Sequence, residues 1–155
     1  MAGEKIMKFE PDHPLKKRFA IHFHDAKKVG PHYDIRIELP EGKNWDSFAT
    51  KKEVPLVQGK RILIYRSRWH SEKEALFTGE IKGDVYGAGT LSLWDEGDVL
   101  IEKYNQRHMI VVFKGKKIKG RYHILSSYYA KLDDNSNIKN QKYKAFMFFK
   151  ANIQD

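Results

Sequence analysis

Short runs in which apolar and polar residues alternate make up most of this 155-residue chain. In HYDIRIE, a β-strand would place Tyr33, Ile35 and Ile37 on one face and His32, Asp34, Arg36 and Glu38 on the other, because successive strand side chains point to opposite sides. Just upstream, RFAIHFHD predicts a second strand on which His22 and His24 share a face. Similar β-branched or aromatic runs, divided by Gly, Pro, Asn or Asp, predict strands over Arg18–His24, Tyr33–Glu38, Trp45–Thr50, Arg61–Arg66, Ala75–Ile81, Thr90–Trp94, Val99–Lys103, Met109–Lys114, Ile118–Ser126 and Tyr143–Lys150. Long helical periodicity is missing. The expected fold is all-β, a small antiparallel β-barrel with little helix, since closure also removes exposed strand edges. The length suits a single domain over residues 1–155, with residues 1–16 a loose arm and Asp133–Gln141 a polar loop before the last strand. Gly87 and Gly89 are read as a tight turn, because no GKS or GKT follows them as a phosphate-binding loop requires. Trp94 and Tyr86 are read as core or rim aromatics, and His108 and His123 as structural.

Composition narrows the chemistry. Cysteine is absent, which removes disulfides, thiolate metal sites and cysteine nucleophiles, so any metal must be held by His, Asp or Glu. A formal charge of +9 and a pI near 9.6 favour a polyanionic partner, nucleic acid first. Lys16, Lys17, Arg18, Lys27, Lys28, Lys51, Lys52, Lys60, Arg61, Arg66, Arg68, Lys114, Lys116 and Lys117 spread this charge over many segments, as a groove or broad face would, not a tail. With neither a membrane-length apolar run nor a secretory apolar stretch near Met1, a cytosolic location without membrane association is expected.

Residues two apart on a strand lie roughly 6.6 to 7 Å apart, so His32 and Asp34 can lean toward one ion while His24 completes the set from the neighbouring strand. Two imidazoles and a carboxylate suit Mn, Fe or Zn better than Ca or Mg. Arg36, one step further along that face, is placed to hold a phosphate beside the metal. Arg66, Arg68 and His70 also alternate and would share a face, with His70 able to donate a proton near neutral pH.

RFAIHFHDAKKVGPHYDIRIEL resembles the RFVVQKHDARRLHYDFRLEL pattern of the 3′-phosphoesterase domain of bacterial and archaeal DNA ligase D. DSFATKK is similar to that family's KSWAVPKG segment, ALFTGEIKGDVYGAGTLSLWDEG to DFEGVIPEGEYGAGTVIVWDRG, and KYKAFMFFK to its WLLIK-like last strand. The resemblance runs over roughly residues 17 to 150, and HYDxRxE and YGAGTxxxWDxG are its specific motifs. It implies a Mn²⁺-dependent barrel enzyme, other divalent transition metals being possible. Such an enzyme removes a 3′-terminal ribonucleoside to leave a 3′-phosphate, then hydrolyses that phosphate to a 3′-OH. The implied metal ligands are His24, His32 and Asp34. Arg36 would clamp phosphate, His70 would steady the transition state or protonate the leaving oxygen, and Lys52 and Arg61 would contact substrate phosphates, with Arg66 and Arg68 as further cationic candidates. The implied partners are DNA primer–template 3′ ends and a separate ligase or polymerase acting in trans, and the protein itself is expected to be a monomer.

This chain departs from the pattern at three places. Gly30 and Pro31 lengthen the segment between His24 and His32, His22 replaces the common Gln and competes for the metal or substrate site, and Glu74 stands where Tyr is usual, in the catalytic pocket. A non-catalytic nucleic-acid-binding barrel is the alternative; it gives no reason for His24, His32 and Asp34 to converge. A cupin-type oxygenase, suggested by HFH, lacks the glutamate expected after the His pair.

Overall fold

The computed structural model describes residues 13–127 and 144–152. They form nine strands and one helical turn: β1 (Leu15–Ala26), β2 (Gly30–Glu38), β3 (Trp45–Thr50), β4 (Arg61–Arg66), α1 (Glu72–Ala75), β5 (Gly79–Ile81), β6 (Gly89–Tyr104), β7 (His108–Lys114), β8 (Lys119–Ser126) and β9 (Ala145–Lys150). Antiparallel pairing runs β1-β2-β3-β4-β9-β8-β7-β6, and β1 pairs with β6 to close an eight-stranded barrel. The short β5 adds to the first residues of β6.

Alternation fills the barrel. Phe19 and Ile21 of β1, Ile35 and Ile37 of β2, Phe48 of β3, Ile64 of β4, Val111 and Phe113 of β7, Tyr122 and Ile124 of β8 and Phe148 of β9 are almost wholly buried and pack as one cluster. Their chain neighbours face outward. In register, Ala20 lies opposite Arg36, His22 opposite Asp34 and His24 opposite His32, so the polar row of β2 and the histidines of β1 meet on the outer wall. The insertion at Gly30 and Pro31 extends the β1–β2 hairpin to Ala26 and Gly30 and leaves His24 directly across from His32.

Two expected strands, Thr90–Trp94 and Val99–Lys103, are one continuous 16-residue strand, β6. Asp95 reads as a turn residue but serves instead as an anchor within the strand. Its carboxylate accepts N–H bonds from Glu96 (2.9 Å), Lys116 (3.0 Å), Lys117 (2.8 Å) and Ile118 (2.9 Å). It thereby pins the β7–β8 turn to β6. A Cβ on Gly115 would lie 2.3 Å from that carboxylate, so the turn must be this close-fitting. Gly89 is likewise an approach point: its φ is +138°, and a Cβ there would sit 2.1 Å from the Asp25 carbonyl of the adjacent strand.

The strand expected over Ala75–Ile81 is only partly one. Ser71 accepts from the Glu74 N–H while the Glu74 carboxylate accepts from the Ser71 N–H, a capping box that starts α1, and only Gly79–Ile81 is extended. The last strand starts at Ala145, and Leu15 and Lys16 of the expected arm open β1. Residues 1–12, the loop at 133–141 and Tyr143 lie outside the described residues.

Candidate active site on the outer wall of the barrel

His24, His32 and Asp34 converge: one donor atom from each lies within 4.8 Å of the others. Each imidazole is oriented by a backbone carbonyl. His24 Nε2–H donates to the Gly87 carbonyl (3.0 Å) and His32 Nδ1–H to the Gly30 carbonyl (3.1 Å). A carbonyl can only accept, so these nitrogens carry the hydrogens. In the neutral rings His24 Nδ1 and His32 Nε2 then turn lone pairs toward the two Asp34 oxygens, at 3.4 and 3.3 Å. Lone pairs facing a carboxylate repel unless a proton or a cation lies between them. Histidines whose far ring nitrogens are held by backbone carbonyls are oriented as metal-ligating histidines are, and the donor set fits Mn²⁺, Fe²⁺ or Zn²⁺.

Where a proton bridges His32 and Asp34, the two groups shift in opposite directions. Burial raises the Asp34 carboxyl, but the His32 hydrogen bond and Arg36 outweigh it and hold it below the ordinary carboxylate range. The same hydrogen bond raises His32 against the opposing effect of burial. His22 is fully buried, neither ring nitrogen has a hydrogen-bond partner among the described residues, and burial with the nearby Arg36 lowers it to about 4. It sits beside the cluster as a neutral ring and is not one of the three converging donors.

Arg36 extends the row. Its Nη1 donates to the Glu74 carbonyl (2.9 Å) and its Nη2 to Asp34 Oδ2 (3.4 Å), while Nε has no partner among the described residues. His70 reaches the same region because its backbone bridges Trp45, with N–H···O bonds of 2.7 and 2.9 Å in the two directions. Burial, then Arg36 and Arg68, push His70 below the usual histidine value. Glu74 binds Arg68 at 2.9 Å and caps α1; Arg68 first, then the Ser71 N–H, hold its carboxyl near 2. A groove of about 980 Å³ takes in His24, His32, Asp34, Arg36, Arg68, His70 and Glu74.

A second groove, about 830 Å³, shares Val29, His32, Ala49 and Tyr86 with the first and contains Lys51, Lys52, Lys60 and Arg61. Lys52 and Arg61 therefore lie beside the cluster of His24, His32 and Asp34, not within it. Arg66 does not join Arg68 and His70 on one face. It follows Ile62 and Ile64 inward, donates to Asp46 at 3.1 and 2.9 Å, stacks on Phe48 and Phe146, and lines neither groove. The strand ends at Arg66, so the alternation that groups the three residues breaks between Arg66 and Arg68.

Residues 22–126 match the family model of the DNA ligase D 3′-phosphoesterase domain. The chain belongs to that family. It is 29% identical over 135 residues to the "Multifunctional non-homologous end joining protein LigD" of Mycolicibacterium smegmatis, covering 80% of this chain and 17% of that protein. With the Mycobacterium tuberculosis "Multifunctional non-homologous end joining DNA repair protein LigD" it shares 33% over 111 residues, 69% of the chain and 14% of the relative. The Pseudomonas aeruginosa LigD is 32% identical over 114 residues, 70% and 13% respectively. The chain thus spans less than a fifth of the length of these relatives.

Several groove residues are not apparent from strand patterning, although Tyr86 and Gly87 fall within the YGAGTxxxWDxG motif. Ser47 and Ala49, on the outward face of β3 opposite Arg36 and Asp34, leave room above the charged row; their small size between Asp46, Phe48 and Thr50 is the one available signal. Phe77, Ile81, Val85, Tyr86 and Leu91 contribute much of the apolar lining, with Val29 and Ala49. The Gly87 carbonyl that orients His24 has no side-chain signature at all. No helix among the described residues is long and apolar enough to cross a membrane.

Proposed function

We propose that this chain is a divalent-metal-dependent 3′-phosphoesterase that processes DNA primer ends in end-joining repair, removing a 3′-terminal ribonucleoside and then the remaining 3′-phosphate. The carrying observation is the convergence of His24, His32 and Asp34 beside the Arg36 guanidinium in one groove. Family membership supports the same reading. His24, His32 and Asp34 would hold Mn²⁺ or a related ion. An ion held there would supply charge neutralisation to the phosphate and activate water for attack.

The chain's own residues supply the rest. Arg36, kept in place by Asp34 and the Glu74 carbonyl, presents a fixed cation to the phosphate and to the charge that develops on it. His70 is held below the usual histidine value, so at neutral pH its ring is neutral and offers an N–H hydrogen bond to the leaving oxygen. Arg68, at the exposed mouth, can exchange its Glu74 partner for a phosphate oxygen. Lys51, Lys52, Lys60 and Arg61 offer phosphate contacts for the strand leading to the site. The 3′-OH so produced is the end that a ligase or polymerase consumes.

The test is a 5′-labelled primer–template with one 3′-terminal ribonucleotide, incubated with and without Mn²⁺ and resolved on a sequencing gel. Metal-dependent shortening to a 3′-phosphate and then a 3′-OH is expected, and His32→Ala and Asp34→Ala should abolish it. No shortening, or shortening that survives both substitutions, refutes the reading; DNA binding without any cleavage would favour the non-catalytic barrel.

A further inference from the structure

Tyr86 is the most exposed large hydrophobic side chain among the described residues, at 73%. Its ring has no aromatic or cationic partner among the described residues, and it lines both grooves at their junction. Exposed aromatics on surface turns are common, but this turn is held at several points. His24 Nε2–H donates to the Gly87 carbonyl (3.0 Å), the Lys27 N–H to the Ala88 carbonyl (2.9 Å) and the Ala88 N–H to the Val85 carbonyl (3.1 Å). Lys28 adds bonds to the Asp84 carbonyl and carboxylate at 3.3 and 3.2 Å. The first of these contacts comes from a residue of the converging cluster itself. The position of Tyr86 is therefore coupled to the place where a phosphate would react.

The two grooves differ in chemistry on either side of this ring. One carries Lys51, Lys52, Lys60 and Arg61, suited to a sugar–phosphate backbone. The other combines the charged row with apolar Ile81, Val85 and Leu91, which offer nothing to a phosphate but suit the uncharged face of a nucleoside. We infer that Tyr86 is a stacking platform for the base of the 3′-terminal nucleotide, so that the site prefers ends that carry a base. This inference rests on the phosphoesterase reading above and names what that site recognises beyond phosphate. A flat ring with an open face stacks on any base, so the preference is for the presence of a base and not for its identity.

Two 5′-labelled primer–templates that differ only in whether the 3′-terminal ribose carries a base provide the test. Affinity is measured by fluorescence anisotropy in EDTA, and cleavage rates in Mn²⁺, for the wild type, Tyr86→Ala and Tyr86→Phe. The wild type should favour the base-bearing end about tenfold in kcat/KM, the scale of one base–aromatic stack. Tyr86→Ala should lose that preference, with the larger loss falling on the base-bearing end, and Tyr86→Phe should keep it. Equal losses on both substrates in Tyr86→Ala, or a retained preference, overturn the stacking role. If the wild type cleaves neither end, the phosphoesterase reading fails by itself. The anisotropy arm then decides: a preference for the base-bearing end that Tyr86→Ala removes supports stacking, and identical affinities refute it.

Discussion

Arg66→Met separates a structural arginine from the substrate-binding ones. In the structure Asp46 is fully buried and receives four hydrogen bonds: two from Arg66 (3.1 and 2.9 Å), one from the Tyr104 hydroxyl (2.8 Å) and one from the Ser47 N–H (3.0 Å). Burial first, and then Asp46, push the Tyr104 hydroxyl well above its ordinary pKa, so it remains a donor at every working pH. Met keeps much of the packing that Arg66 makes over Phe48 and Phe146 but leaves the carboxylate with two neutral donors and no cation. Breaking a buried pair on one side costs about 3–5 kcal/mol. The two surviving hydrogen bonds argue for the lower end, about 3 kcal/mol. At a urea m-value of about 2 kcal/mol/M this moves the unfolding midpoint down by about 1.5 M. Adding Asp46→Asn to Arg66→Met should recover part of the loss, because the uncompensated charge is gone. The salt dependence of DNA binding should match the wild type, since Arg66 lines neither groove. A midpoint within about 0.3 M of the wild type, together with a weaker salt slope, would refute this reasoning and return Arg66 to the substrate.

Arg61→Ala and Lys52→Ala should each leave the fold intact and reduce the slope of log affinity against log salt by about 0.9 if each contacts one phosphate; unchanged slopes in a salt titration would remove the second groove from the DNA path. Adding MnCl₂ should raise the thermal midpoint of the wild type, with EDTA reversing it, and should not raise that of Asp34→Asn, which keeps the shape but loses the charge. A Mn²⁺ shift of equal size in both would sink the metal assignment. Glu74→Gln preserves a capping box but removes the charge that occupies Arg68, so 3′-phosphate removal should speed up relative to ribonucleoside removal; an unchanged product ratio on the gel would count against it. Burial raises Asp95 but its four backbone N–H partners lower it further, leaving its folded pKa depressed. It therefore contributes stability above the unfolded value of about 3.9 that is lost as pH falls through the folded value. Asp95→Asn should flatten denaturation midpoints in that acid range, and an unaltered pH profile would contradict this.

Alternation is sufficient for most of the barrel, because a strand half buried in a core must write its inward face into every second residue. Ile35 and Ile37 against Asp34 and Arg36 is such a record, and the same period brings His32 and Asp34 to one face. It fails where the local rule changes. Ser71 and Glu74 form a capping box that overrides the apolar run after them, and Asp95, a turn former by composition, stays within a strand because four amides bond to it, three of them from the β7–β8 turn. Arg66 illustrates the limit at the site: alternation assigns it a face shared with Arg68, but the strand ends there, and only the position of Asp46 and Tyr104 across the interior draws it inward. The residue types and their order determined most of the strands, the cationic character and two of the converging donors, His32 and Asp34, leaving His22 and His24 as rivals for the third until the structure brought His24 to them. Tertiary structure alone decided that the Gly87 carbonyl orients His24, that His22 lies buried beside the cluster with no hydrogen-bond partner among the described residues, and that Tyr86 stands where the two grooves meet. The physical reason is range: periodicity along the chain reports a residue's own strand, whereas these contacts depend on a turn from residues 83–88 folding back over β1, and no local pattern encodes that approach.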